Sequence, residues 1–261
     1  MKFVRVETAS TPIPAMRAVV ALVVPLVCAS LAAASASAQV RVQTQSEIQQ
    51  ASPRPNRVQP ETGRYQSESG ESFVFDRSGP RPLFRFQTRN EVWALRANAA
   101  PRGDTIYRND AGAQILRVTS AGGVTLYSVR APNGSPASRV GPAAALERPL
   151  LGPVQLANLM LQRSFMLSRA LGRQVVVQLD GEEDEALCID ALMVTTDAVL
   201  RMAGSPATRS ELSRLRAVTI IEGRSASVVY SNGDLRVTVQ PNQGVSGRPS
   251  STRVIRAMVG N

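Results

Sequence analysis

Histidine is absent from this 261-residue chain, and Lys2 is its only lysine. These two gaps remove whole reaction classes: Ser-His-Asp and Cys-His nucleophilic catalysis, histidine-ligated zinc, Schiff-base lysine chemistry and a Walker-type phosphate loop. Cysteine is almost as scarce, with only Cys28 and Cys188, so thiolate metal clusters are excluded as well. Aromatic residues make up 4% of the chain, and Trp93 is the single tryptophan. Carboxylates, hydroxyls, tyrosine and arginine remain for chemistry, and the sequence points to no cofactor.

The N-terminus is the most legible part of what is present. Lys2, Arg5 and Arg17 supply early positive charge, and residues 18–38, "AVVALVVPLVCASLAAASASA", carry none. The run ends on Ala36-Ser37-Ala38, the small-x-small pattern of a signal-peptidase site, so cleavage is expected between Ala38 and Gln39. Pro25 and the Ala/Ser-rich second half make the run a poor permanent span. Val27 before Cys28 does not suit a lipid anchor. Met16-Arg17 would also make a compact signal and offers a second possible start. The expected chain is exported, periplasmic or secreted, with no membrane span after cleavage. Because Cys28 leaves with the signal, no internal disulfide is expected.

Beyond residue 38 there are 27 arginines against 19 acidic residues, a net charge of about +8. Such a balance favours anionic lipid, acidic polymers or nucleic acid as partners. The arginines are scattered among apolar residues rather than clustered, which reads as a basic solvated surface. Few aromatics and no nucleic-acid-binding pattern make nucleic acid an unlikely partner.

Residues 39–70 are rich in Gln, Ser, Pro and charge without apolar periodicity, and read as a disordered tether. Residues 71–144 form an antiparallel β region. "SFVFDR", "LFRFQ", "VWALRA", "DTIYRND", "ILRVTS" and "VTLYSVR" alternate apolar with polar residues between turn signals, which predicts a meander curled toward a half-barrel. Trp93 is assigned to its core. Residues 145–261 form an α+β region. Pro153 to Gly172 has helical spacing, "RQVVVQL" is a strand, and the helix carrying Cys188 ends near Gly204. A shorter helix follows Ser205, placed as its N-cap. "AVTIIEG", "SASVVYS" and "DLRVTVQ" predict a three-strand antiparallel sheet with a type I′ turn at Asn232-Gly233, and a last helix is capped by Ser250 or Ser251. The stretch 131–153 is the natural place to divide the two regions.

Three constellations invite a functional reading. Asp180, Glu182, Glu183 and Asp184, followed by Glu185, loosely suggest a calcium loop but miss its ligand spacing; acids ahead of a helix favour its positive N-terminal end. Asp76, Glu91, Asp104 and Asp110 could include a carboxylate pair for glycoside hydrolysis, which needs no His, Lys or Cys; beside turns, they read first as turn-formers. Arg102-Gly103-Asp104 matches an adhesion triplet, but Pro101, a Gly able to take positive φ, and an Asp able to bond the backbone two residues on describe a turn. Cys188, on the edge of its helix's apolar stripe, reads as a buried small hydrophobe.

The segments "FVFDRSGPRPLFRF", "EVWALRANAAPRGDTIYRNDAG", "ILRVTSAGGVTLYS" and "RVTVQPNQGVSGRPSSTRVIRAMV" resemble a family of exported alphaproteobacterial proteins known as a domain of unknown function. The resemblance runs from about residue 64 to the C-terminus and implies a shared scaffold for the Arg-Gly-Asp segment. It assigns no residue a role. Taken together, the expectation is an α+β fold and a non-catalytic envelope protein that binds or scaffolds a partner, an envelope protein or an anionic polymer. Two alternatives stand beside it: a carboxylate-dependent hydrolase of an envelope polysaccharide, and an electrostatic binder of anionic envelope surfaces.

Overall fold

The computed structural model describes residues 58–260; the expected signal, its Ala38-Gln39 cleavage site and most of the expected tether lie outside them. The fold is mixed α+β. Nine strands make one antiparallel sheet: β1 (Gly63–Ser67), β2 (Ser72–Asp76), β3 (Leu83–Phe86), β4 (Trp93–Ala94), β5 (Arg96–Ala99), β6 (Thr105–Arg108), β7 (Gln114–Val118), β8 (Val124–Leu126) and β9 (Ser135–Gly141). Their order is β4-β3-β2-β1-β9-β8-β7-β6-β5, so β4 and β5 are the two edges.

Those edges are consecutive in sequence, joined through Leu95 alone. A flat nine-strand sheet would hold them tens of ångströms apart at about 4.8 Å per strand. The sheet therefore curls nearly into a barrel. Phe75 on β2 meets Tyr107 on β6, edge to face with ring centroids 5.4 Å apart, across what would be the width of four intervening strands. The expected single strand "VWALRA" is thus corrected to two strands. Leu95 is the corner at which the chain stops pairing with β3 and starts pairing with β6.

Aromatic packing fills the interior. Phe73, Phe84 and Trp93 form a run of near-parallel rings, with centroids 4.9 Å apart for Phe73–Phe84 and 5.8 Å for Phe84–Trp93. Tyr65, Leu95, Ile115, Leu116, Val118 and Leu126 complete this core. All of β2 from Phe73 to Asp76 is buried, because it is covered on both sides. Phe73 and Phe75 face the aromatic core, and Val74 packs with Val92, Leu146 and Val245 in a separate cluster.

Two of these strands were not expected. β1 lies inside the stretch assigned to the tether (39–70), which the structure corrects over residues 63–67. It buries Gly63, Tyr65 and Ser67 and exposes Arg64 and Gln66. β9, "SPASRVG", falls in the stretch 131–153 chosen as a divider. It instead seals the sheet by pairing with both β1 and β8.

The rest of the chain builds a second core. Helix α1 (Pro153–Leu171) ends on Gly172 in the left-handed region, and α2 (Glu185–Ala203), α3 (Pro206–Arg209) and α4 (Ser251–Val259) follow. Ser205 occupies the N-cap position of α3 without a side-chain cap bond, whereas Ser250 Oγ accepts the Arg253 N–H and caps α4 as expected. Strands β10 (Val176–Asp180), β11 (Ala217–Glu222), β12 (Ser227–Ser231) and β13 (Asp234–Val239) form a four-strand sheet in the order β10-β11-β13-β12.

The expected three-strand antiparallel sheet needs correction. Only β12 and β13 pair antiparallel; β11 runs parallel to β13 and to β10. The β12–β13 hairpin does turn at Asn232 (φ 52°) and Gly233 (φ 84°), both in the left-handed region that a type I′ turn requires. A side chain at Gly233 would stand 2.3 Å from the Arg214 carbonyl oxygen. The turn is therefore pressed against the strand entry before β11, which places β13 beside β11. Val218, Ile220, Leu235 and Val237 pack with Leu187, Leu192, Val199 and Met202 of α2. Thirteen of the 19 residues of α2 are buried, which makes it the central helix of this core.

The two halves are joined by hydrogen bonds as well as by packing, and the described residues form one unit. Arg248, 1% exposed at its side chain, donates to Asp190 Oδ2 at 2.5 Å and to the Val92 carbonyl at 2.7 Å. Removing one member of a buried ion pair leaves the other charge stranded and costs about 3–5 kcal/mol. Replacing Arg248 by Met should lower the unfolding free energy by about that amount in urea titration. Replacing Arg236, in the exposed Arg236–Asp234 pair, should cost under about 1 kcal/mol.

Candidate ligand-binding cleft

The carboxylates that suggested a hydrolase serve as fasteners. Asp76 accepts N–H bonds from Leu146 at 2.8 Å and Ser78 at 2.9 Å. Glu91 accepts from the Ser251 N–H at 2.8 Å and from its hydroxyl at 2.5 Å, and Asp110 accepts from the Ser250 N–H at 2.8 Å. Two acids from the strand half thus sit at the positive N-terminal end of α4, the place such groups favour. Asp104 binds Arg117 Nε at 2.7 Å and the Ser120 N–H at 3.2 Å. The Arg-Gly-Asp triplet is a turn, with Arg102 at φ 63° and Gly103 at φ 82°. Its Asp serves the neighbouring hairpin rather than its own backbone two residues on.

The acidic cluster is likewise placed by the start of a helix. Asp184 is the N-cap of α2, accepting the Leu187 N–H at 3.2 Å, and it pairs with Arg148 at 2.6 Å. Asp180, Glu182 and Glu183 are exposed. The N–H groups of Glu182, Glu183 and Asp184 converge on the Glu222 carboxylate at 2.8–3.1 Å. Among the described residues no three His, Cys, Asp or Glu side chains are grouped so as to hold a metal ion. Cys188 is fully buried beneath this loop; burial first, and then the neighbouring Glu222 carboxylate, push its thiol up to about 12. Both effects favour the thiol over the thiolate, the form that attacks and ligates.

The feature fit to receive a molecule lies elsewhere, where the open end of the curled sheet meets the helices. A cleft of about 1190 Å³ is walled by β2, the end of β3, the β6–β7 and β8–β9 connections, the end of α2 and the start of α4. Phe86, Trp93, Ile115, Met202 and Ile255 give it an apolar and aromatic lining. Trp93, 8% exposed, belongs both to the aromatic core and to this wall. Volumes of about 300–1,000 Å³ are usual for small-molecule sites, and mostly apolar walls with a few placed polar groups are their common form.

Three of the four charged residues of the wall are cations. Arg89, Arg130 and Arg201 stand exposed around the cleft, and none is ion-paired among the described residues. Arg89 lies over the Phe86 ring, 5.5 Å from its centroid, which holds its cation near the wall. Glu71 is the one acidic residue of the lining, and its carboxylate accepts the Ser128 hydroxyl. Asn109 is 3% exposed; its Oδ1 accepts the Ala113 N–H at 2.9 Å, so its other amide group is the NH₂. That Nδ2 is buried in the wall and has no hydrogen-bond partner among the described residues. In sequence Arg89-Asn90 and Asp110-Ala111-Gly112 read only as turns, and nothing marked Arg89, Arg130, Arg201, Glu71 or Asn109 as a site.

The chain belongs to the family described as domain of unknown function DUF4908, which matches residues 31–258. No curated protein and no solved structure matches it.

Several fasteners make stability depend on pH. The Arg117 guanidinium holds Asp104 below the usual carboxylate range. Burial opposes ionisation of Asp76 and of Glu222, but their backbone N–H bonds outweigh it and both are also lowered. A lowered folded-state value means that the stabilisation is present above the ordinary carboxylate range and is lost as pH falls through the lowered values. The unfolding free energy should therefore fall steadily below pH about 4. Asp76→Asn should be less stable at neutral pH and should lose less on acidification, as followed by urea titration from pH 7 to pH 2.5.

Proposed function

We propose that this protein is a non-catalytic binding protein of the cell envelope, which holds a ligand with an apolar body in the cleft between the curled sheet and the helices. The observation that carries the proposal is the cleft itself, about 1190 Å³ with Phe86, Trp93, Ile115, Met202 and Ile255 along its wall. Phe86, Trp93, Ile115 and Met202 are already largely buried, so a ligand's apolar surface would gain from their remaining edges and from the more exposed Ile255 and Val129, at about 25 cal/mol per Å² covered. Both halves of the fold contribute to the wall, so the ligand would bridge them. The hydrolase alternative gains nothing from the geometry, because Asp76, Glu91, Asp104 and Asp110 are each engaged by backbone N–H groups or arginine and none lines the cleft.

The envelope location rests on residues 1–38, with their early positive charge, apolar run and Ala36-Ser37-Ala38 ending. Among the described residues no helix is long and apolar enough to cross a membrane. Intact mass of the C-terminally tagged protein from cells should correspond to a chain beginning at Gln39. A mass that retains residues 1–38 would contradict the export reading.

Trp93 supplies the direct test of the cleft. It is the chain's only tryptophan and lies in the wall, so its fluorescence reports on occupancy without a label. Titration with a fluorescent apolar ligand such as 1-anilinonaphthalene-8-sulfonate should quench Trp93 by energy transfer, with saturation at one site. Ser205 also lines the cleft and lacks a side-chain cap bond. Ser205→Phe should therefore weaken binding about tenfold or more by filling space, with little change in stability. Unchanged binding in Ser205→Phe would place the ligand elsewhere.

A further inference from the structure

We infer that the cleft selects an anionic amphiphile, a single apolar chain ending in a carboxylate, sulfate or phosphate; this rests on the cleft being a binding site and adds the sign and form of its ligand. Three of the wall's four charged residues are arginines, and the buried side-chain polar atoms of the wall that have no partner among the described residues, Asn109 Nδ2 and Trp93 Nε1, are both donors. Arg89, Arg130 and Arg201 come from three separate segments and line one cleft, with no carboxylate ion-paired to any of them among the described residues. The one nearby acid, Glu71, is engaged by Ser128. Asn109 keeps an unpaired amide donor because the Ala113 N–H holds its oxygen.

A buried donor without an acceptor is costly in the empty protein, and an incoming acceptor relieves that cost. The cations act at longer range and need no deep burial, because three of them around one mouth sum their fields on an incoming anion. A cationic head would meet three arginines against the single acid Glu71, and a neutral head would gain no charge-assisted bond from them. Equally, an anion without an apolar body would leave uncovered the apolar surface the wall still shows, chiefly the half-buried Ile255 and the exposed Val129. The wall asks for both parts in one molecule. The same chemistry is offered by a free fatty acid and by the head and chain of a lysolipid, so the ligand is defined by head charge and chain rather than by source.

The test uses the purified protein and three dodecyl compounds below their micelle concentrations, read by Trp93 fluorescence and by calorimetry. Dodecanoate and dodecyl phosphate should bind, and dodecanol, with the same chain and no charge, should bind about tenfold more weakly. A triple Arg89→Gln, Arg130→Gln, Arg201→Gln variant changes only exposed side chains, so its fold should be kept. That variant should bind dodecanoate and dodecanol alike, and added salt should erode dodecanoate binding to the native protein but not to the variant. Preference for dodecanoate over dodecyl phosphate would indicate a fatty acid, and the reverse a phosphate-headed lipid; either result supports the inference. If dodecanol binds as tightly as dodecanoate, or the triple variant leaves dodecanoate binding unchanged, selection by charge is wrong while the apolar cleft stands. If inorganic phosphate alone displaces dodecanoate fully, the apolar chain is not needed and the amphiphile is wrong. If none of the dodecyl compounds binds, the cleft reading fails with it.

Discussion

The structure depends on how the start of helix α4 is held. Backbone N–H groups at a helix N-terminus have no partner within the helix and carry the positive end of its dipole. Here two of them, at Ser250 and Ser251, are taken by Asp110 and Glu91, acids borne by the curled sheet. Just before them Arg248 is buried against Asp190 of α2 and the Val92 carbonyl. One short stretch of chain, residues 248–251, thus ties the strand half, the central helix and the last helix together. Apolar contact at this junction is small, a cluster of Val74, Val92, Leu146 and Val245. Direction comes from the hydrogen bonds, because hydrophobic burial alone does not fix an angle between two bodies.

That arrangement decides where a ligand can enter. The junction closes one side of the sheet's open end against the helices and leaves the other side as the cleft. Ser251 belongs to both: it donates to Glu91 and lines the cleft. Trp93 and Val92 show the same double duty, one ring in the wall and the neighbouring carbonyl in the clasp. Site geometry and domain attachment are therefore set by the same few residues. A cleft built this way is held in shape before any ligand arrives, which lowers the ordering cost of binding.

Much of the fold was legible in sequence where local rules act. The alternation in "SFVFDR" and "LFRFQ", the Asn232-Gly233 turn, the cap at Gly172 and the buried stripe of α2 around Cys188 all express local geometry. β1 was invisible because "GRYQS" offers one large apolar side chain, Tyr65, whose pairing partners lie on β2 and β9. β9 was missed because its residues are mostly exposed and it is a strand by backbone pairing. The parallel placement of β11 and β13 follows from close packing at Gly233, which periodicity does not report. Of the candidate site residues, Asp184 was recognisable as a helix start. Glu91 and Asp110 were read as turn acids because their partners lie 160 and 140 residues away. The cleft was not legible at all, since seven short segments without a motif compose it.

The bond between Arg248 and the Val92 carbonyl spans 156 positions of the chain, and β1 meets β9 across about 70. Contacts so distant in sequence make folding slow, because chain entropy must be lost before they form. The last of them cannot form until the C-terminal residues are available. Attachment of the strand half to the helices, and with it the shape of the cleft, therefore waits on residues 248–251 near the end of the sequence.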